Sequence, residues 1–150
     1  MSDSVELYPK AVLDHGRHPR NRRAIADCSH FARSDNPSCG DDVAVSLRID
    51  QGNVIRDAAF DGRSCVLATA SASLMTELLV GKTPAQAKML FQRFHALAAG
   101  DTEKFKDGMD VETARMTVLS GVHAYPVRMR CATLAWKTML AALENERSQQ

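Results

Sequence analysis

Three cysteines and one aspartate are the residues of this chain best suited to chemistry. Cys39 stands in Asn36-Pro37-Ser38-Cys39-Gly40-Asp41, Cys65 in Phe60-Asp61-Gly62-Arg63-Ser64-Cys65, and Cys131 in Tyr125-Pro126-Val127-Arg128-Met129-Arg130-Cys131. Three thiolates and the Asp41 carboxylate make a four-ligand set for a metal ion, and free thiolates also accept and pass on sulfur. Spacing alone leaves two readings open. The cysteines form one site, or they are unrelated core residues, since free cysteine is among the most buried residue types.

The local surroundings favour reactivity at each position. Pro37 stiffens the approach to Cys39, and Gly40 lets the backbone turn closely around a bound atom. Asp41 can point back toward the thiolate. Cys65 falls where a strand hands over to a helix, and a helix N-terminus lowers a thiol pKa. Cys131 sits in the first turn or so of the last helix, with Arg128 and Arg130 favouring its thiolate form. The fourth cysteine, Cys28, has no comparable setting and reads as structural. His15 ends a helix, where an imidazolium stabilises the C-terminus. His95 lies on an amphipathic helix as a partly exposed residue, and His123 is a weak candidate to support Cys131.

The elements that must position these residues are those of an α+β domain. Ser4 to His15 has helical spacing and stops before His18-Pro19. Val43, Val45, Leu47 and Ile49 alternate with smaller or polar residues as a half-buried strand. A turn at Asp50-Gln51-Gly52-Asn53 returns the chain along Val54 to Phe60, making a hairpin. Val66 to Val80 is an apolar, alanine-rich helix suited to close packing on a sheet. Thr83-Pro84-Ala85-Gln86 starts the next helix with a capping box, and Gly100 closes it. Residues 101–111 read as a polar loop. The last helix spans about Val127 to Glu144, and the tail beyond it frays. Strands come early and helices later, so the fold expected is a small antiparallel sheet packed on one face by helices.

Composition limits the function classes. At 150 residues the chain is the size of one domain, 1–150, able to bury a core without staples. A net charge of +1 gives no reason to expect nucleic acid or a membrane surface as the main partner. No apolar stretch reaches the ~18 residues of a spanning helix, and no signal peptide is evident. The expected location is cytoplasmic. In that reducing compartment cysteines favour metal or thiol chemistry over disulfides.

Taken together, Asn36-Pro37-Ser38-Cys39-Gly40-Asp41, Phe60-Asp61-Gly62 leading into Cys65, the Ala70-Ser71-Ala72-Ser73 stretch, and Tyr125-Pro126-Val127-Arg128 leading into Cys131-Ala132-Thr133-Leu134-Ala135-Trp136 resemble the IscU/NifU-like proteins of iron–sulfur cluster assembly. Tyr8, Asp14-His15 and Pro19-Arg20-Asn21 resemble the N-terminal part of that family. The resemblance covers about Tyr8 to Leu143. It is closest to SufU. The interval from Cys65 to Cys131 is longer than in IscU proteins and would contain the SufU-type insertion, within Lys82 to Gly121. The residue before the third cysteine is Arg130, where IscU proteins have histidine. The proline–proline motif by which IscU proteins recruit a chaperone is absent, so that docking is not carried over.

The resemblance implies a protein that accepts persulfide sulfur from a SufS-type cysteine desulfurase, a sulfur-transfer protein rather than a stand-alone enzyme. It implies zinc held by Cys39, Asp41, Cys65 and Cys131, with Cys39 as the moving acceptor thiol and Arg128 steering negative charge. Recipient apoproteins or other Suf assembly proteins would be the onward partners. The alternatives are a scaffold that builds and transfers a [2Fe–2S] cluster on the same thiolates, and a structural zinc module. Arg63-Ser64 departs from the small, glycine-containing residues that relatives have before this cysteine, which bears on loop geometry and metal affinity.

Overall fold

The structure, a computed structural model, describes residues 10–36, 40–105, 108, 110–119 and 125–146. Three strands, β1 (His30–Asn36), β2 (Asp41–Ile49) and β3 (Ile55–Asp61), form an antiparallel sheet in the order β1-β2-β3. The helices are α1 (Lys10–Arg17), α2 (Val66–Leu79), α3 (Pro84–Ala98), α4 (Val111–Met116) and α5 (Pro126–Leu143), with a 3-10 turn at Thr102–Phe105.

The expected hairpin is β2–β3, and β1 is an addition to it. Its sequence, His-Phe-Ala-Arg-Ser-Asp-Asn, has no apolar alternation to read. It is a strand because its backbone pairs along its whole length with β2, from His30↔Leu47 to Asn36↔Asp41. That pairing makes β2 the central strand, and its burial runs through Val43, Ala44, Val45, Ser46 and Leu47 rather than alternating.

One face of the sheet carries the main core. Val43, Val45, Leu47, Ala58 and Phe60 meet α2 and α5 there. The other face is covered by a smaller cluster of Ile25, Cys28, Ala59 and the edge of Phe31. Cys28 is therefore a packing residue, as its bland surroundings implied. Helix α2 is buried almost all round, the pattern of a central helix. Its alanines and serines let α1 and α5 approach closely. Gly16 in α1 is part of this fit, since a Cβ there would come within 2.8 Å of the Val66 side chain.

Trp136 of α5 joins three helices. Its ring stacks on Phe94 of α3 with centroids 4.7 Å apart. Its Nε1 donates to Ser71 Oγ of α2 at 3.1 Å, and that hydroxyl donates to the Ala132 carbonyl at 2.6 Å. The buried indole N–H is thereby satisfied.

Several boundaries differ from the sequence reading. α1 runs on past the expected end at His15 through Gly16 to Arg17; residues 4–9 of the expected helix lie outside the described residues. The expected 101–111 loop holds the 3-10 turn, and α4 follows with Asp110 as its N-cap. Short, polar elements of this kind lack a readable period. The capping box of α3 is present as expected, with Gln86 N donating to Thr83 Oγ1 at 3.2 Å and Thr83 N donating to Gln86 Oε1 at 3.0 Å. No helix among the described residues is long and apolar enough to cross a membrane.

Candidate metal centre

Two backbone devices bring Asp41 and Cys65 together. Gly40 has φ +72° and turns the chain into β2, whose first residue is Asp41. Gly62, just after β3, has φ +121°, and a Cβ there would lie 2.4 Å from the Asp42 carbonyl oxygen. Only glycine permits both that dihedral and that approach. Asp42 N then donates to the Arg63 carbonyl at 2.7 Å. The loop leading to Cys65 is thus pinned against the start of β2.

Cys65 is the N-cap of α2, with φ −69° and ψ 170°, and its sulfur accepts from Ala68 N at 3.4 Å. Its own amide donates to Asp41 Oδ1 at 2.9 Å, and its Sγ lies 3.6 Å from Asp41 Oδ2. Cys131 comes to the same place from α5. It lies in the second turn of that helix rather than at its start, and it is buried. One ligand atom from each of Asp41, Cys65 and Cys131 lies within 4.8 Å of the other two. The described parts of the three-cysteine set therefore form one site.

The electrostatics at Cys65 run against the sequence reading. The helix N-terminus was expected to lower its thiol pKa. The Ala68 N–H and a hydrogen bond with Cys131 do act in that direction. Burial of the sulfur, aided by the facing Asp41 carboxylate, outweighs them and pushes the thiol up from its ordinary 9.0. The residue as a whole is exposed, but its sulfur is turned inward toward Asp41 and Cys131. Without a cation, Cys65 is a protonated thiol at neutral pH.

Arg128 stacks its guanidinium over the Tyr125 ring, 4.2 Å from the centroid. This cation–π contact fixes the entrance of α5. Cys39 and His123 lie outside the described residues. His15 is more than a helix-end cation: its Nδ1 is 2.7 Å from Ser73 Oγ and its Nε2 is 3.8 Å from Glu77, so it docks α1 onto α2. His95 is exposed. The site element that sequence reasoning missed is Gly62 as a close-approach residue. The Phe60-Asp61-Gly62 stretch carried the family resemblance but gave no sign of this approach.

The donor set suits a borderline-soft divalent ion. Two sulfurs and a carboxylate, gathered at a strand start, a helix N-cap and a helix side, are ligands zinc accepts. The same thiolates suit iron in a cluster.

The sequence profile of the NifU-like N-terminal domain matches residues 7–132. The chain is 33% identical over 140 residues to the zinc-dependent sulfurtransferase SufU of Bacillus subtilis, covering 93% of this chain and 91% of that protein. It is 33% identical over 138 residues to the iron–sulfur cluster assembly scaffold protein IscU of Thermotoga maritima, covering 92% and 93%. Among solved structures, a candidate scaffold protein for the SUF system from Fervidobacterium islandicum superposes with a TM-score of 0.81 at 27% identity, covering 93% of this chain and 98% of that one.

Proposed function

The chain belongs to the NifU-like N-terminal domain family, and on that premise we propose that it is a zinc-dependent sulfur acceptor in iron–sulfur cluster assembly. The observation that carries this reading is the convergence of Asp41, Cys65 and Cys131 within 4.8 Å. Cys39, two residues before Asp41, is the fourth ligand in this reading and the thiol that leaves the set to react. Zinc, when bound, would hold the thiolates deprotonated and protect them from oxidation.

The residues then divide the work. Asp41 uses Oδ1 to hold the Cys65 amide and keeps Oδ2 for the metal side. Cys65 and Cys131 stay in place, because one caps α2 and the other is buried in α5. In this reading Cys39, the neighbour of Gly40 in sequence, is the thiol that moves. In the transfer step the Cys39 thiolate attacks the outer sulfur of a persulfide on a SufS-type cysteine desulfurase. A new S–S bond forms on Cys39, the S–S bond on the partner breaks, and the partner's cysteine leaves as a thiolate. No external oxidant or reductant is needed. Arg128, in the first turn of α5 and stacked over Tyr125, is assigned to negative charge at the site. Recipient apoproteins or other Suf assembly proteins would take the sulfur on, in the cytoplasm.

The test joins metal analysis to a desulfurase assay. Freshly purified protein should carry about one zinc per chain. Cys39→Ala should abolish both sulfur uptake and stimulation of the desulfurase while leaving the fold intact. Normal uptake by that variant would remove Cys39 from the role. The likeness to IscU supports a second reading, a [2Fe–2S] scaffold on the same thiolates. It requires an absorbing cluster after anaerobic iron and sulfide supply, transferable to an apoprotein.

A further inference from the structure

β1 is one edge of the sheet, and among the described residues only its beginning is covered by main-chain pairing. Phe31 N donates to the Asn145 carbonyl at 3.3 Å, and the Phe31 carbonyl accepts Asn145 Nδ2 at 2.7 Å. Glu146 makes an antiparallel bridge to His30. The peptide groups of Phe31 therefore face away from β2. By strand alternation those of Arg33 and Asp35 face the same way. Among the described residues they make no backbone hydrogen bond outside the β1–β2 ladder.

Beside this open stretch runs a groove of about 380 Å³ between Asp35 and one face of α5. Met129 and Leu134 give it an apolar side. Arg130 and Lys137, two turns apart on α5, stand over it and are both exposed. Neither has an acidic partner among the described residues. Asp35 is the one carboxylate in the lining, so the groove carries a net positive charge.

We propose that this edge and groove receive an extended, acidic segment of a partner protein, which adds as a fourth strand along Arg33 to Asp35 and lays its carboxylates against Arg130 and Lys137. Main-chain hydrogen bonds supply part of the affinity and alternate side chains supply the choice of partner. An extended chain advances about 3.3 Å per residue, so same-face acids two or four positions apart come within reach of the two cations. The chain's own tail already uses this mode, with Glu146 set opposite His30 on the covered part of the same edge. The proposal concerns docking and stands whether or not the metal reading holds.

The test uses the full chain as purified and a fluorescein-labelled eight-residue peptide of alternating glutamate and valine. Two controls replace glutamate by lysine, or valine by proline. The glutamate–valine peptide should bind in an anisotropy titration, weaken with salt, and slow hydrogen exchange at the Arg33 and Asp35 amides. Arg130→Glu with Lys137→Glu should weaken binding roughly tenfold or more, and Arg130→Lys should largely retain it. Asp35→Pro removes an outward amide at an edge position that tolerates proline, and should abolish binding with an unchanged unfolding midpoint. Equal binding of the lysine peptide overturns the charge assignment, and equal binding of the proline peptide overturns strand addition. No binding, or self-association of the chain through this edge in place of binding, overturns the proposal. Zinc content and desulfurase stimulation, measured on the same variants, separate its failure from failure of the sulfur-acceptor reading.

Discussion

Asp41 and Cys65 are linked twice: Oδ1 of the carboxylate accepts the Cys65 amide at 2.9 Å, and Oδ2 lies 3.6 Å from the Cys65 sulfur. One oxygen holds the backbone of a helix cap and the other faces the thiol. The aspartate is therefore a structural clamp as well as a candidate ligand, and the two roles can be separated by substitution.

Asp41→Asn retains an oxygen that can accept the Cys65 amide but loses the charge. It should keep the stability of the metal-free protein while weakening zinc binding by at least about tenfold. Asp41→Ala loses both and should also destabilise the metal-free protein by about 1–3 kcal/mol, since it orphans a partly buried amide. Chelator competition and urea unfolding of the two variants read the difference. Equal stability of both would show that the clamp contributes nothing.

Gly62→Ala should be among the most damaging single-methyl additions near the site. Its φ of +121° is closed to alanine, and the new Cβ would sit 2.4 Å from the Asp42 carbonyl oxygen. The expected cost is about 1–3 kcal/mol in stability, with loss of metal retention because the Cys65 loop must shift. A wild-type urea midpoint and zinc content in this variant would refute the role given to the close approach.

Zinc affinity should rise with pH through the neutral range. Burial and Asp41 hold the Cys65 thiol above its ordinary 9.0, so a proton must leave whenever a metal binds. At lower pH protons compete better, and affinity falls. Titration against a competing chelator in two buffers of different ionisation enthalpy gives both the slope and the proton count. A pH-independent affinity would contradict the protonated thiol.

His15 should make folding stability sensitive to mild acid. Burial lowers its pKa from 6.5, with Arg20 and Arg115 acting the same way and Glu77 and Asp14 against. The unfolded chain therefore binds more protons than the folded one as pH drops below 6.5. Stability is complete above 6.5 and declines as pH falls toward the folded pKa. The lowered carboxylates Asp14, Asp50, Asp57 and Asp110 act at lower pH, below their ordinary 3.8. His15→Gln should flatten the mildly acidic limb of a stability–pH curve and leave the strongly acidic one.

Ser71→Ala removes the acceptor of the buried Trp136 N–H. The orphaned donor should cost about 1–3 kcal/mol in the urea midpoint. The cysteine site should still bind zinc in the folded fraction, because Asp41, Cys65 and Cys131 keep their own supports.

Sequence alone determined the chemistry and most of the helices. The residue types around Cys39, Asp41, Cys65 and Cys131 raise the expectation of a thiolate–carboxylate metal set, which is the proposal made above, and the structure brings Asp41, Cys65 and Cys131 together. Helix α3 was legible down to its capping box, because caps and apolar stripes are local signals. Tertiary structure decided what local signals cannot carry. β1 is a strand only because β2 lies beside it, and its sequence has no period to announce that. The pKa of Cys65 rises because burial of its sulfur, with the Asp41 carboxylate facing it, outweighs the helix N-terminus, and neither depends on nearby sequence. The convergence of Asp41, Cys65 and Cys131 came from three elements packed on one core. The 4.8 Å between their ligand atoms is a property of that packing and of the room that Gly62 leaves for it.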